Sequence, residues 1–303
     1  MKKKILATIL FVAMMLTLSP TSALAIENKD FETMKQQVSD TYGIPIEIVD
    51  TLSETKIRNL YTTIAENQVV SSEEQFFHFT VDEDGNSSVS QESEQAFLDY
   101  ASSPVAMDDN PVTKVHEDGW MKIYLIIIDK GDTLDISTTY TWLIQPRVTY
   151  GQQDLLTLKW ENGSYIPNSA NGFYSYNING ITNHSEDLLS SGFKRPSEDL
   201  KSINYAHPMN DSGARRNEFF HMMVTIEKNT GLSRETAHSA YGHQYKTLNF
   251  NLGTALGAAG GVASCFFLPP PYNAICMTAA AAGILGQTTV VYDTFAVEAT
   301  GKF

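Results

Sequence analysis

The chain has 303 residues, 35 of them acidic and 21 Lys or Arg, for a formal charge of −14 and a pI near 4.9. Such a field repels polyanions, and no basic stripe interleaved with aromatics offsets it, so nucleic acid is excluded as a partner. A chain of this length suggests one large or two ordinary domains.

The N-terminus carries Lys2, Lys3 and Lys4, an apolar stretch from Ile5 to Leu18, and small residues at Ala23-Leu24-Ala25. This is the pattern of a secretory signal peptide, residues 1–25, with a mature chain from Ile26 that is released or held at the extracellular surface. Loss of those three lysines leaves 18 basic against 35 acidic residues, a charge of −17.

Residues 26–70 place apolar side chains at helical spacing: Phe31, Met34 and Val38, then Ile57, Leu60, Tyr61 and Ile64. A small helical module is expected, with Gly43 ending its first helix, Pro45 opening its second and Ser53 capping its third. Residues 71–110 read as a hairpin and polar linker. Phe76–Val81 and Ser87–Ser90 flank the Asp-Gly turn Asp82–Asn86, and one short helix is expected around Phe97. The turn is not an EF-hand loop, because Ser87 and Ser93 stand where that loop needs Gly and Glu.

From 111 to 252 the period changes to two, predicting an antiparallel β-rich domain, a sandwich or an open barrel. Met121–Ile128 reads as a buried strand, Tyr140, Trp142 and Ile144 share one face of the next, and Leu156, Leu158 and Trp160 alternate with polar residues before Asn162-Gly163. Tyr174, Tyr176 and Ile178 form a further strand, as do Leu248, Phe250 and Leu252. Residues 190–213 read as a polar surface loop. The fold class expected is therefore α+β, closed by a C-terminal apolar helical hairpin in residues 253–303.

No motif names a reaction, and no catalytic, cofactor or metal residue is assigned. His238 and His243, five apart, point to opposite faces of a strand; Glu218 and His221 meet only on a helix, where the sequence favours a strand. There is no His-Glu-x-x-His element and no Gly-x-Ser-x-Gly elbow. Trp120, Trp142 and Trp160 suit either a sheet core or a platform for wall polymer.

Thr247 to Tyr292 carries no charge. Gly253, Gly257 and Gly261 recur every four residues, and Ala279 with Gly283 and Ala282 with Gly286 repeat the spacing, a small-residue stripe that lets backbones approach closely. Pro269, Pro270 and Pro271 mark a turn, and Cys265 with Cys276 on either side form a disulfide candidate that would add about 3 kcal/mol through its short loop. This layout, signal peptide, soluble region and apolar segment with two cysteines, resembles that of secreted pre-toxins of Gram-positive bacteria such as the sporulation-delaying killing factor precursors. The resemblance implies a membrane-permeabilising peptide from the C-terminus and assigns no residue a role. The leading expectation is a non-enzymatic exported protein with an acidic β-rich binding or presentation domain. Its uncharged segment associates with lipid membrane or self-assembles, and the partner is a wall polymer or protein. A hydrolase acting on cell-wall polymer is the remaining alternative.

Overall fold

The computed structural model describes residues 20–81, 87–103, 118–144, 153–178, 181–187, 201–208, 216–248 and 289–303. The chain divides into two compact units, Met1–Ala65 and Glu66–Phe303.

The first unit contains α1 (Pro20–Tyr42), α2 (Ile46–Val49) and α3 (Glu54–Glu66, whose last residue falls in the second unit). Gly43 takes the left-handed conformation, φ 64°, and the Ile44 amide reaches back to the Ser39 carbonyl at 3.1 Å, so α1 ends in a Schellman turn. Pro45 is the N-cap of α2, and the Ser53 hydroxyl accepts the Lys56 amide at the start of α3. Val38, Tyr42, Ile44, Ile48, Val49, Leu52, Ile57 and Leu60 are the buried hydrophobic residues that these breaks position.

The second unit is a β-sandwich. Its larger sheet runs β2 (Ser87–Glu92), β1 (Gln68–Val81), β3 (Asp118–Asp129), β4 (Thr133–Ile144), β10 (Arg216–Glu227), β7 (Asn171–Ile178), β8 (Ile181–Ser185), with β6 (Ser164–Tyr165) also on β10. The smaller runs β12 (Thr289–Lys302), β11 (Arg234–Leu248), β5 (Gln153–Trp160), β9 (Ser202–Pro208). Every pairing is antiparallel. One core joins the facing sides: Phe79, Ile123, Leu125, Tyr140, Trp142 and Phe220 from the first sheet meet Leu156, Leu158, Trp160, Tyr205, Tyr241 and Val297 from the second. One short helix, α4 (Glu94–Ala101), begins at Ser93, whose hydroxyl accepts the Ala96 amide. Its Phe97 packs on Phe76 at 5.0 Å and on Trp120 at 6.4 Å.

The expected α+β class with a C-terminal helical hairpin is corrected here: the chain is mostly β, with a few short helices, and Thr289–Lys302 is a strand. The reason lies in Thr289-Val290-Val291-Tyr292 and the alternation beyond it. β-Branched and aromatic residues suit a pleated surface, and Val297 and Ala299 are buried while Glu298 and Thr300 face solvent. A second difference concerns residues 190–213, expected as a loop, which contain β9. Its Ile203 and Tyr205 enter the core, while the equally buried Ser202 and Asn204 masked the alternation.

Two buried polar arrangements tie the sandwich together. Between the sheets, the Tyr140 hydroxyl donates to the carbonyls of Thr157 (2.9 Å) and Ala240 (3.2 Å) and accepts from Ser239, whose oxygen lies 2.6 Å from the Thr138 hydroxyl. At the β5–β6 turn, the Glu235 carboxylate accepts the backbone amides of Glu161, Asn162 and Gly163, each at 2.8 Å. Lys201 donates to the carbonyls of Asn162 and Gly163 at 2.7 Å. A side chain at Gly163 would collide there, since a Cβ would stand 2.5 Å from Ile226 Cδ1 and 2.7 Å from the Glu227 carbonyl.

Replacing Glu235 by Ala orphans three amides, and we expect a loss of about 3 kcal/mol in urea unfolding with the denaturant slope unchanged. Gly163→Ala destabilises by about 1–3 kcal/mol through overpacking, read in the same assay. Burial pushes the Tyr140 phenol well above its ordinary value. Unfolded tyrosines ionise near 10, so the folded chain keeps a proton that the unfolded chain releases; stability is complete below about pH 10 and falls as pH rises beyond it. In Tyr140→Phe that alkaline slope is shallower by up to about 1.4 kcal/mol per pH unit, measured by urea titration between about pH 8 and 11.

Candidate functional site

Two buried carboxyl groups, Asp154 and Glu218, act on the buried phenol of Tyr241. Asp154 precedes Leu156, Leu158 and Trp160 at the same two-residue period, so the alternation that turns those three inward turns Asp154 inward too. Tyr241 and His243 hold the matching phase on β11, where Tyr241 pairs with Leu156. All three are fully buried.

The Asp154 carboxyl is bonded twice. Tyr241 Oη donates to Oδ2, and His243 Nδ1 lies 3.1 Å from Oδ1 and 3.2 Å from Oδ2. Burial, followed by the negative charges of Asp154 and Glu218, raises the Tyr241 phenol well above its ordinary value, so this hydroxyl is a donor. Which of His243 Nδ1 and Asp154 donates in this contact depends on the ring's tautomer, and the tautomer in turn sets whether Nε2 donates or accepts. Among the described residues Nε2 has no hydrogen-bond partner. The ring stands edge-on to Phe79 at 5.3 Å and makes a T-shaped contact with Trp142 at 5.6 Å, so its walls are apolar.

Glu218 enters from the larger sheet as the register partner of Trp142, accepts the Tyr174 hydroxyl at 2.6 Å and is fully buried. The strand alternation separates it from His221, which faces the other way, 2.8 Å from the Ser137 hydroxyl and stacked on Phe173 at 4.6 Å. His238 and His243 also part company on β11. His238 lies 3.5 Å from both Glu161 and Glu298, away from the interior. Trp120, Trp142 and Trp160 are all buried, so they serve the core and present no platform.

This interior arrangement can hold a proton or an acceptor lone pair at one defined atom, His243 Nε2. The sequence reading missed it because it treated β5 as starting at Leu156; one further step of the period lands on Asp154. Among the described residues, no group of three or more His, Cys, Asp or Glu side chains is placed to hold a metal ion.

The second candidate is the uncharged segment. Cys265, Cys276, the stripe Gly253, Gly257, Gly261, Ala279, Ala282, Gly283 and Gly286, and Pro269, Pro270 and Pro271 all lie outside the described residues. What the structure does give is the base of the segment: β11 and β12 pair along their length to Leu248↔Thr289, so residues 249–288 leave and re-enter the sandwich at one ladder step. Among the described residues no helix is long and apolar enough to cross a membrane.

No family model and no curated protein matches the chain. Solved structures give only distant likenesses. The collagen-binding subdomain of the Enterococcus faecalis surface protein ACE is 7% identical, covering 39% of this chain and 80% of that one with a TM-score of 0.28. The collagen adhesin of S. aureus is 8% identical over 78% of this chain and 84% of its own, at 0.26. The membrane-inserted form of the Clostridium perfringens NetB toxin is 6% identical over 63% and 93%, at 0.23. At these scores none of them carries an argument about fold or function, which rest on the residues themselves.

Proposed function

We propose that the chain is an exported, non-enzymatic β-sandwich protein that presents its uncharged segment, residues 249–288, from one end of the sandwich to a lipid membrane. The observation that supports this reading is the Leu248↔Thr289 pair: it holds both ends of a forty-residue stretch without a single charge at one point on an otherwise acidic protein. Apolar surface in that stretch gains by leaving water. The acidic remainder is repelled by an anionic bilayer, so the two contributions oppose each other at the surface.

Sedimentation with vesicles tests the proposal. The mature protein is expected to pellet with zwitterionic vesicles, and with anionic vesicles more strongly as salt screens the repulsion. A variant lacking residues 253–286, which keeps β11 and β12, is expected to stay in the supernatant under both conditions. A mature protein that remains in the supernatant with every vesicle overturns membrane contact. If it is then oligomeric in sedimentation velocity and the deletion variant monomeric, the segment serves self-assembly instead.

A further inference from the structure

The outward side of the larger sheet is closed off from solvent. On β3, β4, β10 and β7 the residues that alternate with the interior core point away from the smaller sheet, and the registers align them in rungs. Tyr124, Thr139, His221 and Phe173 form one, and Lys122, Thr141, Phe219 and Ser175 the next. Thr139, His221, Phe173, Phe219 and Ser175 are at most 1% exposed, as are Ile126 and Ile128 further along β3. The outward face of a two-sheet sandwich ordinarily meets water and reads as polar, so this one has a cover. At one corner α4 supplies it, where Phe97 packs on Phe76 and Trp120. Ile126, Ile128, Phe173 and Phe219 belong neither to that contact nor to the interior core.

What the face offers limits the chemistry of its cover. It is aliphatic and aromatic, crossed by hydroxyls, and the Oγ atoms of Thr139, Thr141 and Ser175 are buried with no hydrogen-bond partner among the described residues. The charges at its margins are already matched, Lys122 by Glu74 at 2.9 Å and Asp135 by Lys130 at 3.2 Å. A further charge laid on this face would be buried without a counter-ion, which is strongly unfavourable. The longer connections between described elements of this unit, 104–117, 145–152, 188–200 and 209–215, all contain charged residues, while 249–288 contains none. Reach is not limiting. Half of that segment, about twenty residues, can extend to about 60 Å, against about 10 Å between two packed sheets.

We propose that the outward face of the larger sheet is the docking surface for the protein's own uncharged segment, residues 249–288, which is held there until a membrane competes for it. The face and the bilayer core are alternative partners for the same apolar chain, so a gain on one side is set against a loss on the other. The buried hydroxyls keep the balance close: a hydroxyl left unpaired under a cover costs free energy, so Thr139, Thr141 and Ser175 hold the segment less firmly than an all-aliphatic face would. Competition with lipid rests on the membrane reading above, whereas the docking itself requires no lipid.

Photo-crosslinking of the mature chain without lipid tests the docking. With p-benzoylphenylalanine in place of Phe173 or Phe219, illumination is expected to join that position to a peptide from residues 249–288 of the same chain, identified by mass spectrometry. A crosslink to any other segment, or none in a folded protein, overturns the proposal. Thiol labelling reads the same contact through a smaller change. In a Cys265→Ser, Cys276→Ser background, Ser175→Cys is expected to react at least about a hundredfold more slowly than Leu232→Cys, an exposed position, and to approach that rate in the variant lacking residues 253–286. Ala299→Cys, in the interior core, stays protected in both and reports an intact sandwich. Protection of Ser175→Cys that survives the deletion overturns the docking. Zwitterionic vesicles added to the undeleted chain are expected to speed labelling of Ser175→Cys. A chain that pellets with the vesicles while that rate stays slow overturns the competition, whereas one that does not pellet defeats the membrane reading and leaves the docking to the crosslink.

Discussion

A carboxyl group sealed between two sheets has to be met by donors, and Asp154 is where this sandwich meets that requirement. Its two partners come from the next strand, Tyr241 and His243, and Tyr241 is also reached by Trp142 from the opposing sheet. A slip of one residue between β5 and β11 would turn every one of these groups to the outside and leave the carboxyl buried alone. The register of the smaller sheet is therefore fixed by polar geometry as much as by apolar burial. Polar networks of this kind add little net stability, but they make alternative pairings costly.

The same logic recurs at the other end of β11. Glu235 accepts three consecutive amides from the β5–β6 turn while Lys201 donates to two of its carbonyls, so a tight turn that strands alone would leave unsatisfied is enclosed by one acid and one base. Together with the Tyr140 hydroxyl between the sheets, these contacts place polar anchors near both ends and in the middle of an interior that is otherwise aromatic and aliphatic.

Strand identity was legible wherever burial followed a strict period of two. Leu156, Leu158 and Trp160 declared β5, Met121–Ile128 declared β3, and Gly43 and Ser53 marked helix ends from local chemistry alone. Legibility failed where polar residues occupy buried positions. Ser202 and Asn204 hid β9, and nothing local marks Asp154 as buried, because its partners lie almost ninety positions away. The C-terminal strand was misread for a different reason: the Ala- and Gly-rich run before it carries a strong helical spacing, and that period was extended past Thr289, where β-branched residues begin. The candidate interior site is a product of pairing register, which no single stretch of sequence displays.

The closing of β12 onto β11 also orders events in time. Val297 and Ala299 belong to the core, so the sandwich is incomplete until β12 has docked, and β12 follows the uncharged segment in the chain. In chain order the segment therefore precedes the strand that closes that flank of the sandwich. The β11–β12 ladder must then join strands forty residues apart in the chain, although for a flexible connection each doubling of length adds only about 0.6 kcal/mol to closure. Final assembly of the sandwich thus waits on a late, non-local strand.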